Sequence, residues 1–229
     1  MSVSFERDGG VGIISIDDGK ANALSPDVLS AIAECFDKAE ADGASAVLLQ
    51  GRPGRFSAGF DLSIMTSGVE PMRALVTQGA ELLLRIFTFP APVVSACTGH
   101  ALAAGALVLL VSDVRVGAEG EFKIGLNEVA IGMGLPIFAV ELARYRMPPS
   151  AFDSALLGEV FAPADAVRAG YLDRTSGSVL DDALATAQRL SSLRRGAVSI
   201  SKDHARATLA QKINDTLYAD MAGLSGPAT

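Results

Sequence analysis

The sequence predicts an α/β protein, and three features of the chain support this class. Short apolar runs in the first half alternate with segments whose apolar residues recur at helical spacing. Clusters of Gly, Pro, Ser and Asp separate the two kinds of segment. After about residue 136 the pattern is mainly helical. The resulting order of strand, strand, helix, strand, turn and helix is typical of α/β architectures.

The first elements are predicted to be a hairpin and a helix. Residues 3–7 and 11–17 form the two strands, and a Gly-Gly pair joins them. Ser25 has the residue type of a helix N-cap, and Pro26 suits the first helical position. The helix then carries an apolar face made of Leu29, Ile32, Ala33, Phe36 and Ala39.

The later elements continue this pattern. The predicted buried strands are residues 46–50, 92–97 and 112–117. The predicted helices are residues 71–87, the apolar segment after Gly99, and residues 164–169, 179–193 and 198–222. The small and polar residues 223–229 are predicted to fray.

Composition excludes several classes of function. The chain has 229 residues, of which 49% are hydrophobic and 20% charged, so we expect a globular protein with a large core. The net charge of −7 argues against nucleic acid or an anionic membrane as a partner. The most apolar window, residues 101–111, is too short to span a bilayer, and no signal peptide is evident. We therefore expect a cytoplasmic protein without a membrane partner.

The cysteines indicate neither a disulfide framework nor a metal site. Cys35 and Cys97 both lie in apolar contexts, which favours two small buried thiols in a reducing compartment. No cluster of side chains has the spacing of metal ligands. No G-x-G-x-x-G follows the first strand, so dinucleotide binding has no support.

Two runs of small residues are the strongest functional signal. Residues 54–62 and 99–107 are each rich in Gly, Ala and Ser and end at a predicted helix start. Helix starts leave backbone N–H groups without acceptors, and small residues let a ligand approach them closely. Two such turns side by side would direct two donors at one point, as in an oxyanion hole. Either turn alone also fits an ordinary tight connection between a strand and a helix.

Five motifs in order resemble the crotonase superfamily, the enoyl-CoA hydratase/isomerase family. They are residues 19–24 (GKANAL), 56–61 (FSAGFD), 99–105 (GHALAAG), 112–115 (SDVR) and 126–133 (LNEVAIGM). The resemblance implies a superhelix of strand–strand–helix turns with a helical C-terminal region. On this basis, we assign residues 1–185 to an acyl-CoA-binding core and residues 186–229 to the C-terminal helical region.

The resemblance also implies the site residues. The N–H groups of Phe60 and Ala104 would form the oxyanion hole, and the family's second catalytic glutamate falls on Glu128. The apolar neighbours of Glu128 independently suggest a raised pKa that suits general acid–base catalysis. The predicted substrate-binding residues are Lys20, Ala21, Ala23, Ala58, Gly59, Phe60, Asp61, Leu62, Ala104 and Leu107.

Several polar residues near these motifs have more than one interpretation. Asp61 suits an N-cap better than a catalytic role, and His100 suits a structural hydrogen bond better than a place in the acyl pocket. His204 is predicted on a helix surface. A CoA ester is anionic, so a CoA site would need a local basic rim. The basic residues available for it, each of which also fits a solvated surface charge, are Lys20, Arg52, Arg55, Lys202 and Lys212.

The sequence departs from the hydratase pattern at one decisive position. Leu107 stands where hydratases of the family carry their first catalytic glutamate, and no Glu or Asp lies between His100 and Ser112. Residues 134–137 also replace a glycine-rich turn. Adding water normally uses two carboxylates, whereas one base suffices to move a proton between two carbons. The sequence therefore favours enoyl-CoA isomerisation with Glu128 as the proton shuttle.

Other activities remain open at this stage. They are hydration or acyl-CoA hydrolysis by an atypical site, and acyl-CoA binding without turnover. We expect no cofactor and no metal, with coenzyme A present only as part of the substrate. The resemblance further implies a homotrimer or a dimer of trimers.

Overall fold

The computed structural model describes residues 2–224, so most of the tail predicted to fray, from residue 225 on, lies outside the described residues. Strands β1 to β11 are Val3–Asp8, Val11–Ile16, Ala23–Leu24, Ala46–Gln50, Gly54–Ser57, Gly59–Phe60, Val93–Cys97, Gly99–Leu102, Val114–Ala118, Ile124–Gly125 and Arg174–Ser176. Helices α1 to α9 are Pro26–Ala41, Leu62–Met65, Val69–Phe87, Ala104–Val111, Ile137–Arg146, Pro149–Leu156, Pro163–Ala169, Val179–Ser191 and Arg195–Gly223. A 3-10 turn covers Val129–Ile131.

The largest sheet has six strands in the order β1-β2-β4-β7-β9-β11. The predicted hairpin is confirmed, because β1 and β2 pair antiparallel with Val3 opposite Ile16. The other four pairs are parallel. Parallel sheets need cover on both faces, which explains why β4 and β7 are apolar at almost every position. The prediction of buried strands in this region is therefore confirmed.

The two faces of this sheet form separate apolar clusters. On one face, Val47 and Val93 pack in a large core with residues of α1, α3 and α4. On the other face, Leu48 and Val94 pack in a smaller cluster with α8. Side chains of a strand alternate between its faces, so consecutive residues of β4 and β7 enter different cores. The result is an arrangement of helices on both faces of the sheet, which agrees with the predicted α/β class.

The first helix begins as predicted. The Ser25 side chain accepts a hydrogen bond from the Val28 N–H, and Pro26 occupies the first helical position. Four of the five predicted apolar-face residues are fully buried, and Ala33 is half-buried. The cap therefore marks where this helix begins, and the amphipathic pattern decides which face it buries.

Two small parallel sheets were not predicted. One has the order β10-β8-β5, and the other pairs β3 with β6. Their sequences predict turns, because Gly, Ala and Ser lack the branched apolar side chains that mark a strand. Gly99 and Gly54 are paired in register, and a Cβ on Gly99 would overlap the Gly54 backbone. The absence of side chains therefore allows this pairing.

The helical C-terminal region is present, with additional helices α5 and α6. Residue 186, the proposed boundary between core and C-terminal region, lies within α8, which packs against the central strands. The longest helix, α9, packs against α3 and α5 instead. Among the described residues, no helix combines the length and apolar character needed to cross a bilayer.

Candidate active site

Three parallel strands deliver the predicted site residues to one edge of a small sheet. Strands β5 and β10 both pair parallel with β8, so their carboxyl ends lie at the same edge. The chain leaving β5 carries Gly59 and Phe60, and the chain leaving β8 enters α4 at Ala104. The chain leaving β10 carries Glu128 three residues after its end. The Ala103 N–H donates to the Gly125 carbonyl at 3.0 Å, which ties the last two segments together.

The two small-residue turns are in direct contact. A Cβ on Gly59 would lie 2.8 Å from the Ala103 Cβ and 3.1 Å from the Ala104 nitrogen. A Cβ on Gly105 would lie 2.5 Å from the Ser57 carbonyl oxygen. Neither position has room for a side chain, so both glycines are required by the close approach. Ala103 itself has a φ of +50°, a conformation that is strained for alanine.

The two predicted oxyanion-hole donors are the backbone N–H groups of Phe60 and Ala104. Ala104 is the first residue of α4, and the first N–H groups of a helix have no acceptor inside it. The Asp61 N–H donates to the Leu24 carbonyl of β3 at 3.2 Å. The N–H of Phe60, one residue earlier, is the second predicted donor.

The loop that precedes α1 joins the same site. The Ala58 N–H donates to the Ala21 carbonyl at 3.0 Å. Ala23 is paired with Gly59 in the parallel pair β3–β6. Lys20 is exposed, and its carbonyl accepts from the Arg52 guanidinium at 2.9 Å. The structure therefore places these predicted substrate-binding residues beside the first turn.

Asp61 and Leu62 begin the short helix α2. The Asp61 carboxylate accepts from the Ser63 hydroxyl at 2.6 Å and from the Ser63 N–H at 2.9 Å. The hydroxyl bond is the main reason that the pKa of Asp61 is lowered. The N-cap interpretation of Asp61 is confirmed. Leu62 has 62% of its surface exposed, so it presents an apolar side chain to solvent next to the turn.

Asn22 is a structural residue of the site that the sequence analysis did not single out. It is fully buried with a φ of +53°. Its amide nitrogen lies 2.8 Å from the Ile16 carbonyl and 3.2 Å from each of the Arg55 and Phe56 carbonyls. Its own carbonyl accepts from the Ser57 hydroxyl at 2.8 Å. The sequence does contain a signal for this role, an Asn in a loop made mostly of small residues. Asn tolerates positive φ better than most residues, so an Asn in such a loop indicates a left-handed backbone position.

Glu128 lies at the start of the 3-10 turn. Its Oε2 is inaccessible to solvent and has no hydrogen-bond partner among the described residues, and the same is true of the Oδ1 of Asn127. Burial raises the pKa of Glu128 to about 7. The predicted desolvation of this carboxylate is therefore present. The residue as a whole is half-buried, with one carboxylate oxygen enclosed. A buried polar atom without a partner is costly for stability, so this carboxylate is a candidate for a functional group.

Tyr171 is a second residue that the sequence analysis missed. Its hydroxyl accepts from the Leu126 N–H at 3.2 Å, two residues before Glu128. Burial raises the pKa of Tyr171, and the negative charge of Glu128 raises it further. The phenol is fully buried and therefore anchors the segment that carries the carboxylate. No local pattern marks a tyrosine as a partner for a residue so far away in the sequence.

Leu107 has an entirely apolar environment. It is 2% exposed, and every residue of α4 is buried. The helix contains no acidic side chain, so Glu128 has no second carboxylate opposite it on this helix. A charge at position 107 would be desolvated, at a cost of several kcal/mol.

The histidines have the structural roles that the sequence favours. The Nδ1 of His100 accepts from the Lys123 N–H at 3.0 Å, and its ring packs edge-on against Phe122. Burial, with Arg55 and Lys123 nearby, lowers the pKa of His100. His204 is exposed on α9, as predicted.

Two predictions about individual side chains are wrong. Lys202 is neither a rim nor a solvated charge, because its ammonium is largely buried and lies 2.7 Å from the Asp113 carboxylate. This ion pair, with Arg206 on the other oxygen of Asp113, joins α9 to the end of α4. Cys97 is buried as expected, and burial raises its pKa to about 12, but Cys35 is only half-buried.

No group of three or more potential metal ligands is found within residues 2–224.

Comparison with known proteins decides the family. A family model described as "Enoyl-CoA hydratase/isomerase" matches residues 6–226. The chain belongs to the enoyl-CoA hydratase/isomerase family. The recognition made from the five motifs is therefore confirmed, and the chain is an enzyme of the hydratase/isomerase type.

Relatives and solved structures of this family agree in fold. A probable enoyl-CoA hydratase of Bacillus subtilis is 31% identical over 82% of this chain and 75% of its own length. The human mitochondrial enoyl-CoA delta isomerase 1 is 32% identical over 72% of this chain and 56% of its own length. A family member from Pseudomonas syringae, solved by crystallography, has a TM-score of 0.95 at 39% identity and covers 98% of both chains. The predicted crotonase-like fold is confirmed.

Replacing Asn22 with Ala should lower the free energy of unfolding by about 3 kcal/mol, because buried carbonyls lose a donor and alanine is strained at positive φ. Urea unfolding measures the change. Asn22→Gly is the matched control, since it loses the same hydrogen bonds without backbone strain, and should cost less. A loss below about 1 kcal/mol in Asn22→Ala would contradict the structural role of this amide.

The raised pKa of Glu128 predicts a pH-dependent cost of folding. Between the ordinary value of 4.5 and about 7, the folded state keeps a proton that the unfolded state has released. Stability from this group therefore falls as pH rises through that window. Glu128→Gln should remove this loss of stability, because glutamine does not titrate. The free energy of unfolding of the variant should therefore exceed that of the parent by a difference that grows from near zero at pH 4.5 to about 3 kcal/mol above pH 7. Parallel stability curves for the two proteins would show that the carboxylate is not desolvated.

Proposed function

We propose that this enzyme isomerises enoyl-CoA thioesters by moving a proton from C2 to C4 of a 3-enoyl chain. The observation that carries the proposal is the carboxylate of Glu128, on the segment that follows β10, whose Oε2 is enclosed without a hydrogen-bond partner among the described residues. The apolar helix α4 offers no second carboxylate. This arrangement suits a reaction that needs one base and no held water molecule.

The first requirement of the reaction is to stabilise an enolate. The N–H groups of Phe60 and Ala104 are the proposed donors to the thioester oxygen. Support comes from the contact between Gly59 and the Ala104 nitrogen, and from the position of Ala104 at a helix start. One donor of this kind typically contributes about 3–4 kcal/mol to transition-state stabilisation. Both donors are backbone groups, so the side chains of these two residues can vary.

The second requirement is a base that also acts as an acid. Ionised Glu128 removes a proton from C2, and the electron pair moves into the conjugated enolate. The protonated carboxyl group then returns the proton to C4, which leaves a 2-enoyl thioester and regenerates the carboxylate. A pKa of about 7 allows both steps at neutral pH, because neither protonation state is strongly favoured.

The names of the relatives do not choose between isomerase and hydratase. The similar proteins include probable hydratases, delta isomerases and carnitinyl-CoA dehydratases. Leu107 supports isomerisation, since a leucine can neither orient nor protonate a water molecule. The exposed Lys20 and the adjoining Ala21 and Ala23 are the proposed contacts for the CoA portion of the substrate. A cytoplasmic location and assembly as a homotrimer or dimer of trimers complete the proposal, with no cofactor beyond the CoA of the substrate.

Glu128→Gln should abolish turnover of trans-3-hexenoyl-CoA, with a loss of order 10²–10⁴ in kcat. The amide has nearly the shape of the carboxylate but cannot accept and return a proton. The rate is followed by the absorbance of the conjugated thioester. The matched control is Glu121→Gln, an exposed carboxylate of the same segment, which should retain the parent rate.

Two further outcomes decide between the candidate reactions. A rate of Glu128→Gln within about threefold of the parent would remove Glu128 from the mechanism, because a general base contributes far more. Robust hydration of crotonyl-CoA by the parent would show that one carboxylate suffices for water addition. Retention of acyl-CoA binding by Glu128→Gln, measured as a rise in Tm, shows that the variant remains folded.

A further inference from the structure

The phenyl ring of Phe60 rests on a glycine in the middle of α3. A Cβ built on Gly79 would overlap the Cε1 and Cζ atoms of this ring, so the ring lies directly against the Gly79 backbone. Glycine inside a helix is less favourable than alanine. A glycine at this position is explained by packing, because the ring of Phe60 leaves no room for a side chain at residue 79.

The residue that carries this ring also provides a backbone N–H in the proposed reaction. Phe60 is the proposed donor to the thioester oxygen, and its side chain is half-buried. An acyl chain starts at the carbon that carries this oxygen. In the proposed complex, the acyl chain therefore begins beside the residue that carries the ring. The ring fills the space between the first turn and α3, where Gly79 leaves room for it.

We propose that the Phe60 side chain, seated on Gly79, limits the length of the acyl chain that the enzyme binds. This inference rests on the proposed oxyanion hole but not on the proton-transfer step. In the parent, the ring fills space that a longer chain would need. Removing it opens an apolar space beside the thioester, and each methylene that enters such a space improves binding by about fourfold.

A double-mutant cycle tests the packing of the Phe60 ring against Gly79. Gly79→Ala should lower Tm by several degrees, because the new methyl group displaces the ring. In the Phe60→Ala background, the same change should have no cost or a small gain, because alanine favours the helix. Gly196→Ala is the matched control, since this helical glycine in α9 has open space around it. Equal effects of Gly79→Ala in both backgrounds would show that the ring does not need the glycine.

The specificity is tested with hexanoyl-CoA and decanoyl-CoA, which are saturated and cannot be isomerised. Titration calorimetry gives the ratio of their Kd values. Phe60→Ala should shift this ratio at least tenfold in favour of decanoyl-CoA. Phe60→Leu, a milder change that keeps an apolar side chain, should shift it in the same direction by less. The matched control is Phe5→Ala, because Phe5 packs over Gly12 in the same manner but belongs to the hairpin at the sheet edge.

The outcomes separate this inference from the proposed function. An unchanged ratio in both Phe60 variants would overturn the inference, whatever the enzyme does to 3-hexenoyl-CoA. A tenfold shift would support it even if the parent isomerises nothing. No binding of either acyl-CoA to the parent would contradict both the inference and the proposed oxyanion hole.

Discussion

The contact between two glycine-containing turns is the constraint on which the site depends. Gly59 and Gly105 press the chain after β5 against the start of α4, with no space for a side chain at either position. The parallel pairing of β5 with β8 sets the register of this contact. Asn22 holds the start of β5 to β2, because its side-chain amide donates to carbonyls of both strands. A rigid backbone frame of this kind can hold two N–H groups at fixed positions without any catalytic side chain on either turn.

Backbone donors leave the surrounding side chains free to serve other purposes. The ring at position 60 can shape the acyl site, and the leucine at position 107 can complete an apolar helix. In the proposed reaction the proton transfer is assigned to Glu128, whose segment is held by the phenol of Tyr171. One of its carboxylate oxygens is inaccessible to solvent, and its raised pKa comes from burial rather than from a charged neighbour. The stability lost by this burial is consistent with a group kept for reactivity.

The sequence correctly predicted the elements whose formation depends mainly on neighbouring residues. The Ser25 cap, the buried strand at residues 46–50 and the hairpin needed no distant contact to be recognised. The small strands β5, β8 and β10 were missed, because their stability comes from backbone approach between residues far apart in the chain. The buried pair of Lys202 with Asp113 and the seat of Phe60 on Gly79 are also long-range contacts. The roles of Glu128, Phe60 and Ala104 stay predictions, which the geometry makes specific.

The transfer of a deuterium label tests the single-base account most directly. Trans-3-hexenoyl-CoA carrying deuterium at C2 is converted in ordinary water, and the product is analysed by mass spectrometry and NMR. A single carboxylate shielded from solvent should return part of the deuterium removed from C2 to C4 of the same molecule. The account therefore predicts 2-hexenoyl-CoA with measurable deuterium at C4. Product with no deuterium at C4, or a 3-hydroxyacyl product containing oxygen from water, would contradict it.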